Sequence, residues 1–304
     1  MREISYVSSD GATTVYAYIW EREQGIKPRG VVQLVHGFAD HMMRYADFAG
    51  FMARHGFIVC GHDQLGHGKT AEGKFGHGDK NGHKLLAKDV YKLTGIMKKE
   101  YDLPLVLMGV GFGSLVARYA ASLWSIEYDG AIFSGTMASG FSIGLLHRLF
   151  SIAKLQNRGE REAAWADKML RGRNNKHFRN SEHGTSWLTR DEAEVVALEA
   201  DPLCGFPLTY ASCQNMLKLV KISNSNKWAN RMPKKLSIYL FSGLEDPVGG
   251  FGRGVIQVYS DLVNAGCIDV EIRLYEDARH EMLFELNRYE VYEDIIKWIE
   301  DSVL

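Results

Sequence analysis

The apolar run Leu103 to Met108 passes directly into Gly109-Val110-Gly111-Phe112-Gly113 and then into Ser114 to Trp124, a segment with helical periodicity. A strand that turns on alternate glycines into a helix is part of a strand-helix-strand unit, the building block of a parallel sheet. Other short apolar runs, bounded by glycine or acidic residues, read as strands: Thr14 to Trp20, Val31 to Val35, Phe57 to Cys60, Ala131 to Phe133, Ile238 to Phe241 and Val270 to Tyr275. Helical periodicity marks Tyr45 to His55, Leu85 to Glu100, Val255 to Ala265 and Tyr289 to Ile299. The alternation predicts an α/β fold with a mostly parallel sheet and helices on both faces. It breaks down between Ser139 and Met232, where charge rises and Arg171-Gly172-Arg173-Asn174-Asn175-Lys176 crowd together. An insertion is expected there, dividing the chain into a first core part (1–138), a helical lid (139–232) and a second core part (233–304). Within it, Ile143 to Leu155 places Leu145, Leu146, Leu149, Phe150 and Ile152 on an apolar face, which suits a cover for a pocket or an ordinary packed helix.

At 304 residues, 46% hydrophobic and 24% charged, the chain can bury a large core. A net charge of −1 without a sustained basic run gives no electrostatic footprint for nucleic acid, and no apolar stretch approaches the length of a membrane span. Met1-Arg2-Glu3-Ile4-Ser5-Tyr6 is too polar for a signal peptide, so a cytoplasmic protein is expected. Cys60, Cys204, Cys213 and Cys267 have no CxxC spacing and read as free thiols, with Cys60 in the core.

The glycine turn has the frame of a nucleophile elbow, Gly-x-Ser-x-Gly, with Gly111 where the serine would stand. In that frame the amide after the elbow residue, here that of Phe112, points at a developing oxyanion. The amide of Phe38 supplies a second donor, because His36-Gly37-Phe38 follows the first core parallel strand and its glycine permits a sharp turn. Late in the chain, Ser237 to Phe241 ends in Ser242-Gly243-Leu244-Glu245-Asp246-Pro247-Val248, and the final strand ends in Asp277-Ala278-Arg279-His280-Glu281. An acid and then a histidine, each after a late strand, match the Ser, Asp, His chain order of a triad on such a sheet. Asp246 would orient the His280 imidazole and stabilise its charged form. Glu245 is a substitute acid, but Asp before Pro fits a fixed turn better. No metal is expected: the histidines and glycines from His62 to Thr70 lack a facial arrangement and read as a structural loop, and His41, His77 and His83 are read the same way.

Together these segments resemble the monoacylglycerol lipase and lysophospholipase-like branch of the α/β-hydrolase superfamily, nearly end to end. His36-Gly37-Phe38-Ala39-Asp40-His41-Met42-Met43-Arg44-Tyr45 is similar to the family's HGxxEHxxRY segment, with Asp40 for Glu. Asp63-Gln64-Leu65-Gly66-His67-Gly68-Lys69-Thr70 is similar to its DxxGHGxS loop. Gly243-Leu244-Glu245-Asp246-Pro247-Val248 and Ala278-Arg279-His280-Glu281 resemble its acid and histidine loops. The resemblance implies an α/β-hydrolase fold with an eight-stranded core, a lid after the sixth strand, no cofactor, and acyl esters of glycerol or lysophospholipid type as ancestral substrates. It departs at the elbow, where the family's Gly-His-Ser-Met-Gly has Val110 and Gly111 at its second and third positions.

A glycine at an elbow relieves backbone strain of about 1–3 kcal/mol and removes the oxygen that forms an acyl-enzyme. Three readings follow. In a pseudohydrolase the pocket binds an acyl-ester or lipid-like small molecule without cleaving it, which accounts for both Val110 and Gly111. A rerouted hydrolase would use a water activated by His280, or Ser114 one helical turn beyond the elbow. A deliberate nucleophile knockout accounts for position 111 alone. A dinucleotide loop is disfavoured, because the third fingerprint glycine would fall at Ser114 and Gly130 to Phe133 lacks a terminal acid for a ribose.

Overall fold

In the computed structural model, which describes residues 1–23, 25–78, 81–138, 160–178 and 183–304, the apolar runs form the middle of an eight-stranded sheet. Its strands are β1 (Arg2–Val7), β2 (Thr14–Trp20), β3 (Gly30–Val35), β4 (Phe57–His62), β5 (Leu105–Val110), β6 (Gly130–Ser134), β7 (Ser237–Gly243) and β8 (Val270–Tyr275). They lie in the order β1-β2-β4-β3-β5-β6-β7-β8, with β1 and β2 antiparallel to their neighbours and the pairs from β4 to β8 parallel. The parallel part thus runs second, first, third, fourth, unlike the 3-2-1-4-5-6 order of dinucleotide folds. β1 was not among the apolar runs. It is a mostly exposed edge strand whose pairing with β2, rather than its own pattern, makes it a strand.

The central strands are apolar without interruption because successive side chains enter two different cores. Val31, Val35, Leu105, Leu107, Ala131 and Phe133 belong to one cluster, whereas Val32, Leu34, Val106, Met108 and Ile132 belong to the other. The helices among the described residues are α1 (Ala46–Arg54), α2 (Gly82–Glu100), α3 (Phe112–Leu123), α4 (Ala164–Asn174), α5 (Glu192–Ala200), α6 (Tyr210–Ser223), α7 (Asn226–Arg231), α8 (Arg253–Asn264) and α9 (Arg288–Ser302). α2, α3 and α8 cover the first face with residues such as Leu93, Val116 and Val258, and α1 and α9 cover the second with Phe48, Met52 and Ile295.

The described part of the segment between β6 and β7 includes helices packed into the core of the sheet. Leu219 and Val220 of α6 and Trp228 and Ala229 of α7 are buried in the same core as α2 and α3, and Trp228 Nε1 donates to the Arg118 carbonyl at 2.8 Å. Polar residues on the outer sides of these two helices mask that packing in the sequence. The apolar stretch Ile143 to Leu155 lies outside the described residues. All four cysteines are free and buried, and among the described residues no helix is long and apolar enough to cross a membrane.

Candidate active site

β3 and β5 are neighbours, with Val35 opposite Gly109, so the loops after them emerge side by side at the carboxyl edge of the sheet. The turn after β5 is very tight. A Cβ on Gly113 would stand 2.1 Å from the Val35 carbonyl oxygen, so only glycine lets α3 start against the end of β3. Gly111 caps α3 with φ 54° and ψ −117°, a left-handed backbone that L-residues adopt only under strain. The Phe38 and Phe112 rings meet edge to face at 6.1 Å, and their amides donate to no acceptor among the described residues. His36 is fully buried and fixes the first loop: its Nε2 accepts from the Gln64 amide at 3.0 Å, which leaves Nδ1 to donate to the Gly37 carbonyl at 2.9 Å. Burial, with His67 nearby, pushes its pKa down to about 3, so His36 is a neutral brace.

The acid and the histidine come from the far end of the sheet and meet over the elbow. Asp246, fully buried after β7, accepts from Ser242 Oγ at 2.9 Å through Oδ2 and from the Val248 amide at 2.8 Å through Oδ1. Oδ2 also stands 3.0 Å from His280 Nδ1, though off the line of a well-formed hydrogen bond. Burial lowers the His280 pKa, but the facing Asp246 carboxylate together with Glu281 outweighs it and the net shift is upward. On the other side of the ring, Nε2 lies 2.9 Å from the point a Cβ of residue 111 would occupy. Glu245 is exposed and does not compete with Asp246.

A network that sequence reasoning did not find holds these loops together. Arg44 binds Glu281, the neighbour of His280, through both terminal nitrogens (3.3 and 2.9 Å), and also binds Asp40 at 3.1 Å. Its guanidinium rests 4.1 Å over the Phe284 ring. Asp40 accepts from Tyr45 Oη at 2.7 Å, and the Gly37 amide donates to the same hydroxyl at 3.3 Å. Despite burial, Arg44 and the surrounding donors hold the Asp40 carboxyl below its ordinary range. The segment before α5 is clamped to the histidine loop: the Glu281 amide donates to the Leu188 carbonyl at 2.7 Å, Arg279 donates to the Ser186 and Thr189 carbonyls, and Trp187 leans over His280 at 5.3 Å. Apart from the local pairing of Asp40 with Arg44 and Tyr45, these contacts join residues far apart in the chain, so no local pattern announces them.

The cavity above the elbow measures about 160 Å³ and is lined by Phe38, Gly111, Phe112, Leu115, Trp187 and His280, among others. A larger cavity of about 500 Å³, which includes Lys168, Glu199 and Cys204, shares Thr185, Leu198 and Gly205 with it but touches none of Gly111, Asp246 and His280. Ser114 does not line either cavity. It is fully buried, 2.6 Å from the Gly111 carbonyl and 2.8 Å from Thr136 Oγ1, which removes it as a substitute nucleophile. Within the loop from His62 to Thr70, burial pushes His62 down to about 4, and His67 Nδ1 meets the Leu65 carbonyl at 3.0 Å. Asp63 there accepts from the Met42 and Lys69 amides, at 2.9 and 2.8 Å, as a structural loop requires. A trio of ligand types does gather elsewhere: His41, Asp201 and Cys204 place their atoms within 4.8 Å of one another. His41 Nε2 already pairs with Asp201 at 2.9 Å, and burial raises the Cys204 thiol, so the trio is a hydrogen-bonded cluster poorly suited to a cation.

Comparison with known proteins agrees with this architecture. The family model Hydrolase_4 (serine aminopeptidase, S33) matches residues 26–287. The monoacylglycerol lipase of Mycolicibacterium smegmatis is 24% identical over 302 residues, covering 98% of this chain and 96% of that protein. A thermostable carboxyl esterase from Bacillus coagulans, solved in complex with glycerol, is 31% identical with a TM-score of 0.94, over 100% of this chain and 99% of its own. A soluble variant of the Saccharomyces cerevisiae monoglyceride lipase, in complex with a substrate analogue, shares the fold at 19% identity and a TM-score of 0.77, over 96% of this chain and 93% of that one. By sheet order, length of match and overall likeness, this chain belongs to the Hydrolase_4 family of α/β-hydrolases, in its monoglyceride lipase-like branch.

Proposed function

We propose that the protein is a pseudohydrolase that binds an acyl-ester-like small molecule over Gly111 and leaves it uncleaved. One observation carries this reading: His280, backed by the buried Asp246, and the residues Phe38 and Phe112 with their free amides line one apolar cavity in which residue 111 contributes only backbone. The amides would hold a carbonyl oxygen, Asp246 would orient His280, and Trp187, Leu188 and Leu198, which line the cavity, would pack on the acyl chain. The ligand class follows from the relatives, which are named as monoacylglycerol lipases and a carboxyl esterase. What is missing is the bond-forming atom. Loss of a triad serine costs turnover on the order of a millionfold, leaving what binding and oxyanion stabilisation supply.

A second reading, hydrolysis by a water on His280, has in its favour that Nε2 faces the elbow with no protein partner among the described residues. Such a water lacks the proximity of a covalent nucleophile. Calorimetric titration with methyl octanoate tests the first reading. The expected result is saturable binding, with the ester recovered intact by gas chromatography; cleavage of the ester, or binding of neither the ester nor its acid, overturns it.

A further inference from the structure

We infer that the elbow site prefers a carboxylate to an ester, which makes its ligand an acyl acid. The inference rests on the non-hydrolytic reading and deepens it by naming the head group. Gly111 alters the count of donors and acceptors. The amides of Phe38 and Phe112 are free to donate, and α3, 12 residues long, directs the positive end of its dipole at the same place. A second observation is independent of the helix. His280 is only 7% exposed, lines the cavity, and turns an unpartnered Nε2 toward the elbow.

A serine hydroxyl would donate to Nε2 and keep it an acceptor. With glycine, no donor faces it. An ester has one strong acceptor, its carbonyl oxygen, which satisfies the amides and leaves only the weakly accepting alkoxy oxygen for Nε2. A carboxylate has two: one accepts from the amides, and the other accepts from the Nε2–H of an imidazolium already facing Asp246. A charge-assisted bond of this kind is about twice as strong as a neutral one.

The pH behaviour follows from the groups around the ring. Asp246 faces it from the loop after β7, and Glu281 follows it in its own loop, paired with Arg44 from the loop after β3. Gly111, Gly135 and Trp187, which face it from the other elements, are uncharged. Below the His280 pKa the acyl anion meets an imidazolium. Above it, each bound anion must bring one proton from water to Nε2, so affinity falls with rising pH. Because Asp246 and Glu281 together outweigh burial, the fall begins above the ordinary histidine value.

Calorimetry of the native protein with octanoate and with methyl octanoate, near pH 6 and near pH 9, decides the matter. Octanoate is expected to bind about tenfold tighter than its methyl ester near pH 6. It is then expected to weaken about tenfold or more by the higher pH, taking up one proton per ligand, as read from buffers of different ionisation enthalpy. The ester should show no such change. His280→Gln keeps an N–H donor that does not titrate and should flatten the octanoate profile; proton uptake by the native protein serves if that variant fails to fold. Equal affinity for acid and ester, or octanoate binding without proton uptake at high pH, overturns the carboxylate preference and leaves the non-hydrolytic reading standing. Binding of neither compound overturns both.

Discussion

Gly111→Ser is expected to gain ester hydrolysis by about three orders of magnitude over the native protein, and to become labelled by a fluorophosphonate at the new serine. The loss of a triad serine spans on the order of a millionfold, so a partial recovery of this size is a conservative expectation for a site whose other parts are in place. Recovery is partial for a stated reason. A Cβ on residue 111 would stand 2.9 Å from His280 Nε2, inside the 3.4–4 Å of ordinary contact, so the imidazole has to withdraw by a few tenths of an ångström. The restored rate should rise with pH, since a base works unprotonated, and its midpoint should lie above about 6.5 because Asp246 raises the His280 pKa. The substitution also forces an L-residue into φ 54°, ψ −117°, so stability should fall by about 1–3 kcal/mol in urea denaturation. Gly95→Ala is the control: nothing lies within 4 Å of its Cβ and it sits inside α2, so it should gain about 0.5–1 kcal/mol. If Gly111→Ser folds but is neither labelled nor active, the site has lost more than its nucleophile.

Arg44→Ala should cost about 3–5 kcal/mol of stability, the usual penalty for breaking a buried ion pair from one side. Arg44, Asp40 and Glu281 have side-chain exposures of 8%, 2% and 9%, so removing the guanidinium leaves two carboxylates in the interior without their cation. The deficit should be largest near neutral pH. Asp40 has a lowered folded pKa, so its contribution to native stability is present above the unfolded value and lost as pH falls through the folded one. In the variant its pKa rises, the buried charge is neutralised sooner, and the difference from the native protein narrows in acid. Urea titrations at several pH values read this directly; a loss within about 0.5 kcal/mol at neutral pH would match an exposed ion pair and refute the bracing role. Because the network joins the Phe38 and His280 loops, Arg44→Ala in the Gly111→Ser background should also reduce the restored rate.

The parts of the molecule legible in the sequence are those governed by local rules. Both-face burial makes the central strands continuous apolar runs, and the loops after β3, β5, β7 and β8 carry Phe38, Gly111, Asp246 and His280, which meet because parallel strands deliver their carboxyl ends to one edge. Choosing Asp246 over Glu245 needed only the turn chemistry of Asp-Pro, and the structure buries the first and exposes the second. What stayed hidden depends on distant partners. β1 is a strand because β2 pairs with it, α6 and α7 are core helices because α3 covers their apolar sides, and Arg44 finds Glu281 at a separation of 237 residues. Trp187, which leans on His280, lies in a segment whose composition suggested only an insertion.

The central claim, that chemistry stops at residue 111 in an otherwise assembled site, is tested most directly by the rate of p-nitrophenyl butyrate hydrolysis measured side by side for the native protein and His280→Ala. The account predicts equal rates, both at the background of the ester in buffer with protein present. A native rate that clearly exceeds that of His280→Ala would contradict it and establish a His280-activated water as the nucleophile.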